Sequence, residues 1–220
     1  MAKKVGVILS GCGVFDGAEV HESVLTLLAL DRRDAEVVIC APDVNQLHVV
    51  NHHTGEEVPG ETRNVRVEAA RIARGPVQDV KDVDADSLDA LVLPGGFGAA
   101  KNLCDFAVKG ADCTVNEDVA ALVRAVHEKK KPIAAICIAP ALMAKVLGTS
   151  SPALTIGNDE DTASQLQRLG AKHVTCPVTD RVIDHENKIV STPAYMLAQR
   201  VTEAAEGIDK TIETVLEMCD

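Results

Sequence analysis

Three observations predict a doubly wound α/β fold, with a mostly parallel central sheet and helices on both faces. Strand-like and helix-like segments alternate along the whole 220-residue chain, the pattern of consecutive β-α-β units. The strand-like segments are short, continuous apolar runs, as in strands covered on both faces. No linker, repeat or low-complexity tract interrupts the alternation, so residues 1–220 read as one domain. Hydrophobic residues make up 46% and charged residues 25%. These are ordinary globular proportions, and a chain of this length buries a core without disulfides or metal. Intrinsic disorder, collagen and coiled coil are excluded.

The elements follow in order. Residues 5–9 are a buried strand that ends in Ser10-Gly11-Cys12-Gly13. From 19 to about 30, Val20, Val24, Leu27 and Leu28 recur at helical spacing. Residues 36–41 form a second strand, stopped by Pro42. Residues 48–51 and 57–58, around Thr54-Gly55, read as a small hairpin. Residues 64–73 are helical. A third core strand, 88–93, is broken by Pro94-Gly95-Gly96. Asn116 caps a helix to about 129, with Lys129, Lys130 and Lys131 at its negative end. Pro132 opens a strand over 133–136, and small and apolar residues make a helix over 139–147. Residues 155–157 read as a brief strand. Asn158 or Asp159 caps a helix through 169. Residues 182–184 and 188–190 form a hairpin. The last helix is expected from about 195 to 217, with a kink at Gly207.

The charge balance is 22 Lys and Arg against 33 Asp and Glu, a net −11, with one Tyr, three Phe and no Trp. Such a chain lacks the cations and stacking rings that bind nucleic acid. It also does not suit an anionic membrane surface. No apolar run reaches the ~18 residues of a membrane-spanning helix. The opening stretch, residues 1–10, is too short in apolar length for a signal peptide. Seven irregularly spaced Cys then point to thiols in a reducing compartment, and a cytoplasmic protein is expected.

Doubly wound sheets place their sites at the carboxyl ends of the strands, and three strand ends carry unusual chemistry. Ala135-Ile136-Cys137-Ile138-Ala139 joins a strand to a helix with no loop. So sharp a turn needs small residues two before and two after its apex, and Ala135 and Ala139 supply them. This is the pattern of a nucleophile elbow with Cys at the apex. The following helix terminus is expected to lower the thiol pKa. A buried core Cys is the plainer alternative. Leu93-Pro94-Gly95-Gly96 is a turn with exposed backbone N–H groups able to hold an oxyanion. It lacks the Gly-Lys-Ser/Thr ending of a phosphate loop, and a plain tight turn competes with the functional reading. Glu22 sits one turn into the first helix, where it could serve a thiol as general base or merely favour the helix dipole.

Together these pieces resemble the DJ/PfpI superfamily, relatives of class I glutamine amidotransferases. Gly17-Ala18-Glu19-Val20-His21-Glu22 resembles its acidic motif, Leu93-Pro94-Gly95-Gly96 its glycine turn and 135–139 its cysteine elbow. Longer strings at 9–19, 94–103, 137–140 and 192–196 resemble the ElbB family, known as isoprenoid-biosynthesis glyoxalase or enhancing-lycopene-biosynthesis protein. The resemblance implies a flavodoxin-like α/β sandwich. It implies Cys137 as nucleophile, Glu22 as its acid-base partner, and backbone donors at Gly96, in the turn that Gly95 begins, and at Ile138, in the elbow. The implied activity is glyoxalase-type, taking glyoxal to glycolate or methylglyoxal to lactate without glutathione, cofactor or metal. A small dicarbonyl substrate and a second copy of the chain in a homodimer are the expected partners.

The chain departs from the wider superfamily at Ile138, where many members have His. The late amidotransferase signature His-Pro-Glu is also missing, since the stretch there reads Ser191-Thr192-Pro193-Ala194-Tyr195. Glutaminase chemistry through a Cys-His-Glu triad is therefore disfavoured. His173 and His185 are the first substitutes should Glu22 not act. Cys12, on a Gly-rich strand end, is a candidate for the same pocket, against the plainer reading of a thiol outside it. His21 is expected to have no direct role. His52-His53 lacks the partners of a metal site, and only proximity in sequence links Cys104 to Cys113. The rival reading is a cysteine-based redox sensor or binding protein with incidental turnover.

Overall fold

The structure is a computed structural model and describes residues 2–219. β1 (Lys4–Ile8) leads through a Gly-rich loop to α1 (Val20–Asp31) and then β2 (Glu36–Ala41). A hairpin of β3 (Val50–Asn51) and β4 (Glu56–Glu57) precedes α2 (Val65–Ala73) and the short β5 (Gln78–Asp79). β6 (Ala90–Leu93) is followed by α3 (Phe97–Lys101), α4 (Phe106–Lys109) and α5 (Glu117–Glu128). β7 (Ile133–Ile136) runs into α6 (Ala139–Leu147). β8 (Ala153–Leu154), α7 (Glu160–Arg168) and β9 (Lys172–His173) precede the hairpin of β10 (Val182–Asp184) and β11 (Ile189–Thr192). α8 (Val201–Glu217) follows.

Seven strands pair in the order β10-β11-β7-β6-β1-β2-β5. Neighbours are parallel except β10 with β11. The period of two along each strand divides the core. Leu91, Leu93, Ile133 and Ala135 pack on one face with Val119 and Val123 of α5 and Leu142 and Met143 of α6. Val92, Ala134 and Ile136 pack on the other with Leu30 of α1 and Ile208, Ile212 and Val215 of α8. Coverage on both faces is why β6 and β7 read as unbroken apolar runs. Helices α1, α5 and α7 start where side chains satisfy their free N–H groups. Glu19 Oε2 accepts from Glu22 N at 2.7 Å, Asn116 Oδ1 from Val119 N at 3.1 Å, and Asp159 Oδ1 from Thr162 N at 2.8 Å.

Three local expectations change. The last helix starts at Val201, because Ala194–Met196 is a tight turn and Glu203 Oε2 accepts from Arg200 N at 3.2 Å. The helix then runs on through Gly207. The brief strand expected at 155–157 lies at Ala153–Leu154 instead. Beyond it, Thr155 N donates to Ser191 Oγ at 3.0 Å and Gly157 N to Thr155 Oγ1 at 2.9 Å, so side chains take the place of a ladder. Finally, α3 and α4 are too short to show a helical period in sequence.

Candidate active site

The parallel sheet brings the ends of β1, β6, β7 and β11 together, and the site stands there. Cys137 occupies the turn between β7 and α6 with φ at +61°, the left-handed region. Such a conformation costs on the order of 1–3 kcal/mol in a non-glycine residue and persists only where its surroundings hold it. Here Cys137 N donates to Thr192 O at 2.9 Å, and the flanking Ala135 and Ala139 are fully buried. The side chain is 7% exposed.

Glu22, in the first turn of α1, is fully buried beside Cys137. Its Oε2 accepts from Gly95 N at 3.0 Å and its Oε1 from Tyr195 N at 3.1 Å. The approach is so close that Gly95 has no room for a side chain. A Cβ there would overlap Cys137 Cβ and lie 2.6 Å from Glu22 Oε2. The Gly95 N–H is thus committed to Glu22 rather than to an oxyanion. The backbone N–H groups of Gly96 and Ile138 favour charge on the sulfur.

Burial pushes the Glu22 carboxyl up to about 7, and the charge of Glu19 adds to this against the two backbone donors. Burial and the Glu22 charge together push the Cys137 thiol well above its ordinary value, and the donors at Gly96 and Ile138 offset only part. The helix terminus therefore does not set the thiol pKa as the sequence suggested. Desolvation and a neighbouring acid outweigh it.

A cavity of about 490 Å³ opens onto Cys137. Glu19, Asp159, Thr162 and Tyr195 line it, with Val14, Phe97, Ala100, Phe106, Ile138 and Met196 among its apolar walls. Sequence reasoning missed Glu19, Asp159, Thr162 and Tyr195 as site residues. Glu19 and Asp159 carried only capping signals, and Tyr195 stood inside a string noted for resemblance. The Tyr195 hydroxyl lies 2.9 Å from His21 Nδ1, so His21 has a positioning contact that its place on the helix did not reveal.

Cys12 does not line this cavity, contrary to expectation. It lies among Glu68, Arg71, Asp16 and Arg63, and burial and Glu68 raise its thiol pKa. The Gly-rich loop turns it toward α2 instead of toward Cys137. His173 and His185 do not line the cavity, and no described lining residue is a histidine. His52 is engaged by Phe15 N at 3.2 Å and Val50 O at 3.1 Å. Among the described residues, no cluster of three His, Cys, Asp or Glu is arranged to hold a metal ion.

The DJ-1/PfpI family matches residues 12–192, a span that includes Glu22, the glycine turn and the cysteine elbow. The chain belongs to the DJ-1/PfpI family. It is 44% identical over 226 residues to the human mitochondrial glutamine amidotransferase-like class 1 domain-containing protein 3, covering 99% of this chain and 84% of that protein. It is also 44% identical to the mitochondrial ES1 protein homolog of rat, covering 98% of this chain and 84% of the relative. A crystal structure from Ehrlichia chaffeensis, described as an isoprenoid biosynthesis protein with an amidotransferase-like domain, superposes with a TM-score of 0.90. It is 37% identical and covers 97% of this chain and 99% of its own. The flavodoxin-like α/β fold is that of these family members. The cytoplasmic expectation is corrected by the relatives, which are mitochondrial proteins. Unpaired thiols report a reducing compartment, and composition cannot say which one.

Proposed function

We propose that this DJ-1/PfpI protein is a glyoxalase that needs no glutathione or cofactor and converts glyoxal to glycolate, or methylglyoxal to lactate. The observation that carries the reading is the buried Cys137–Glu22 pair, where the Gly96 and Ile138 N–H groups favour charge on the sulfur. Sulfur adds to one aldehyde carbon, and that oxygen takes up a proton to give a hemithioacetal. The Gly96 and Ile138 N–H groups stabilise the oxyanion as it forms. Glu22 removes the proton from the same carbon and returns it to the neighbouring carbon through an enediol. One carbon is oxidised and its neighbour reduced, leaving a thioester of the 2-hydroxy acid. Water cleaves the thioester, releases the acid and restores the thiol. A carboxyl group with a value of about 7 is matched to this task at neutral pH. The ElbB resemblance supports the same reading, and the Ehrlichia relative, described as an isoprenoid biosynthesis protein, supports that resemblance.

Wild type and Cys137→Ser are to be incubated with glyoxal and glycolate followed by NMR. Wild type should turn over at or above about 1 s⁻¹, the lower end of ordinary enzymes, and the variant should be inactive. A Cys137→Ser variant with half the wild-type rate refutes the mechanism. A slower wild type favours the redox-sensor alternative, although a 7% exposed thiol with a raised pKa suits oxidation sensing poorly.

A further inference from the structure

The cavity at Cys137 is far larger than glyoxal requires. Its volume of about 490 Å³ falls in the range of sites that bury much bigger ligands. A dicarbonyl of four heavy atoms fills on the order of two water volumes, roughly 60 Å³. The excess space is walled mainly by apolar groups. Phe106 and Ala100 are anchored in the core, and Phe97 and Met196 stand nearer the mouth. The charged lining groups are Glu19 and Asp159, and the described lining holds no Lys, Arg or His. The nearby Lys101 is held by Phe15 O at 3.1 Å and lies over the Phe97 ring.

An anionic substituent would lose water here and meet two carboxylates with no cation to compensate. An apolar body would leave water for the walls of Phe106, Phe97, Ala100 and Met196. The geometry points to an electrophilic carbonyl compound with an uncharged, aryl-sized apolar body as the ligand of this site. As a substrate class this rests on the glyoxalase reading, and it implies a substituted 2-oxoaldehyde in preference to glyoxal.

Alkylation of Cys137 tests the cavity without relying on turnover. Iodoacetamide, N-benzyl-iodoacetamide and iodoacetate are each to be reacted with the intact protein, the Cys137 peptide quantified by mass and each rate divided by that of free glutathione. The benzyl reagent should react at least tenfold faster than iodoacetamide, and iodoacetate at least tenfold slower. Glu19→Gln keeps an oxygen to cap α1 and should raise the iodoacetate rate relative to iodoacetamide by threefold or more. Equal rates for the three reagents, or a benzyl reagent slower than iodoacetamide, overturn the inference. In a parallel arm, kcat/KM for phenylglyoxal should exceed that for glyoxal tenfold, and 4-carboxyphenylglyoxal should lose that gain. Turnover of glyoxal without the benzyl preference rejects the inference and keeps the glyoxalase. The benzyl preference without turnover of any aldehyde keeps the inference and rejects the glyoxalase.

Discussion

Replacing Glu22 with Gln should change the pH dependence of stability as well as activity. The Glu22 carboxyl moves from an ordinary 4.5 to about 7 in the fold. At about 1.36 kcal/mol per pH unit, that gap is worth about 3 kcal/mol. Because the folded value lies above the unfolded one, this contribution is fully present below pH 4.5 and is lost as pH rises through 7. Glu22→Gln removes the titration. Its amide can accept from Gly95 N or from Tyr195 N but not from both, since one end now donates. One buried N–H is left unpaired, at a cost of about 1–3 kcal/mol at every pH. The variant should therefore be less stable than wild type at pH 5 and equal or more stable at pH 8. For a chain of 220 residues, each kcal/mol moves Tm by about 2–4 °C. Part of the gap is already lost at pH 5, so about 2.5 kcal/mol separates the two pH values, and the difference in Tm between variant and wild type should swing by about 5–10 °C. Thermal melts followed by circular dichroism at constant ionic strength measure it. Parallel Tm curves from pH 5 to 8 would refute the buried, titrating carboxyl.

Three further outcomes follow from the same geometry. For wild type, kcat/KM with glyoxal should climb with pH and level off above about 7, as the pair loses one proton; a climb centred near 4.5 or above 9 would assign the base elsewhere. Gly95→Ala forces a Cβ into Cys137 and against Glu22 Oε2, so glyoxal turnover should vanish and stability fall by about 1–3 kcal/mol, and a variant of wild-type Tm and rate would refute the close packing. The proposed homodimer, the commonest closed symmetry, is checked by light scattering at micromolar concentration, where a stable monomer of 23.2 kDa would exclude it.

The sheet was legible because β1, β6 and β7 are covered on both faces and so show as apolar runs without gaps. The elbow was legible for a local reason, since Ala135 and Ala139 are small where the turn is crowded. Glu22 and Gly95 were named in sequence, but the reason for Gly95 was not visible. It is the meeting of three segments at Cys137 Cβ and Glu22 Oε2, which no local pattern encodes. Tyr195 escaped for the same reason. Its N–H serves Glu22 across 173 positions of chain, and its place looked like the start of a helix. The pKa of Cys137 was misjudged because a helix terminus can be read from sequence and burial beside a carboxyl group cannot.

That misjudged pKa changes how the site has to work. Burial and an ionised Glu22 push the thiol so far up that almost no thiolate is left near neutral pH while the carboxylate keeps its charge. With Glu22 beside it, the two groups titrate as one pair, and burial pushes the carboxyl group up to about 7. The remaining proton can sit on the carboxyl group while the charge sits on sulfur, where the Gly96 and Ile138 N–H groups receive it. Nucleophile and base are then two protonation forms of one monoanion. In the proposed reaction, attack by sulfur leaves the proton on Glu22, ready for the hemithioacetal oxygen, and the emptied carboxylate is the base for the adjacent C–H. The burial that disfavours a lone thiolate also raises Glu22 to the strength this second step needs. A histidine after the cysteine would duplicate that base, and Ile138 stands in its place.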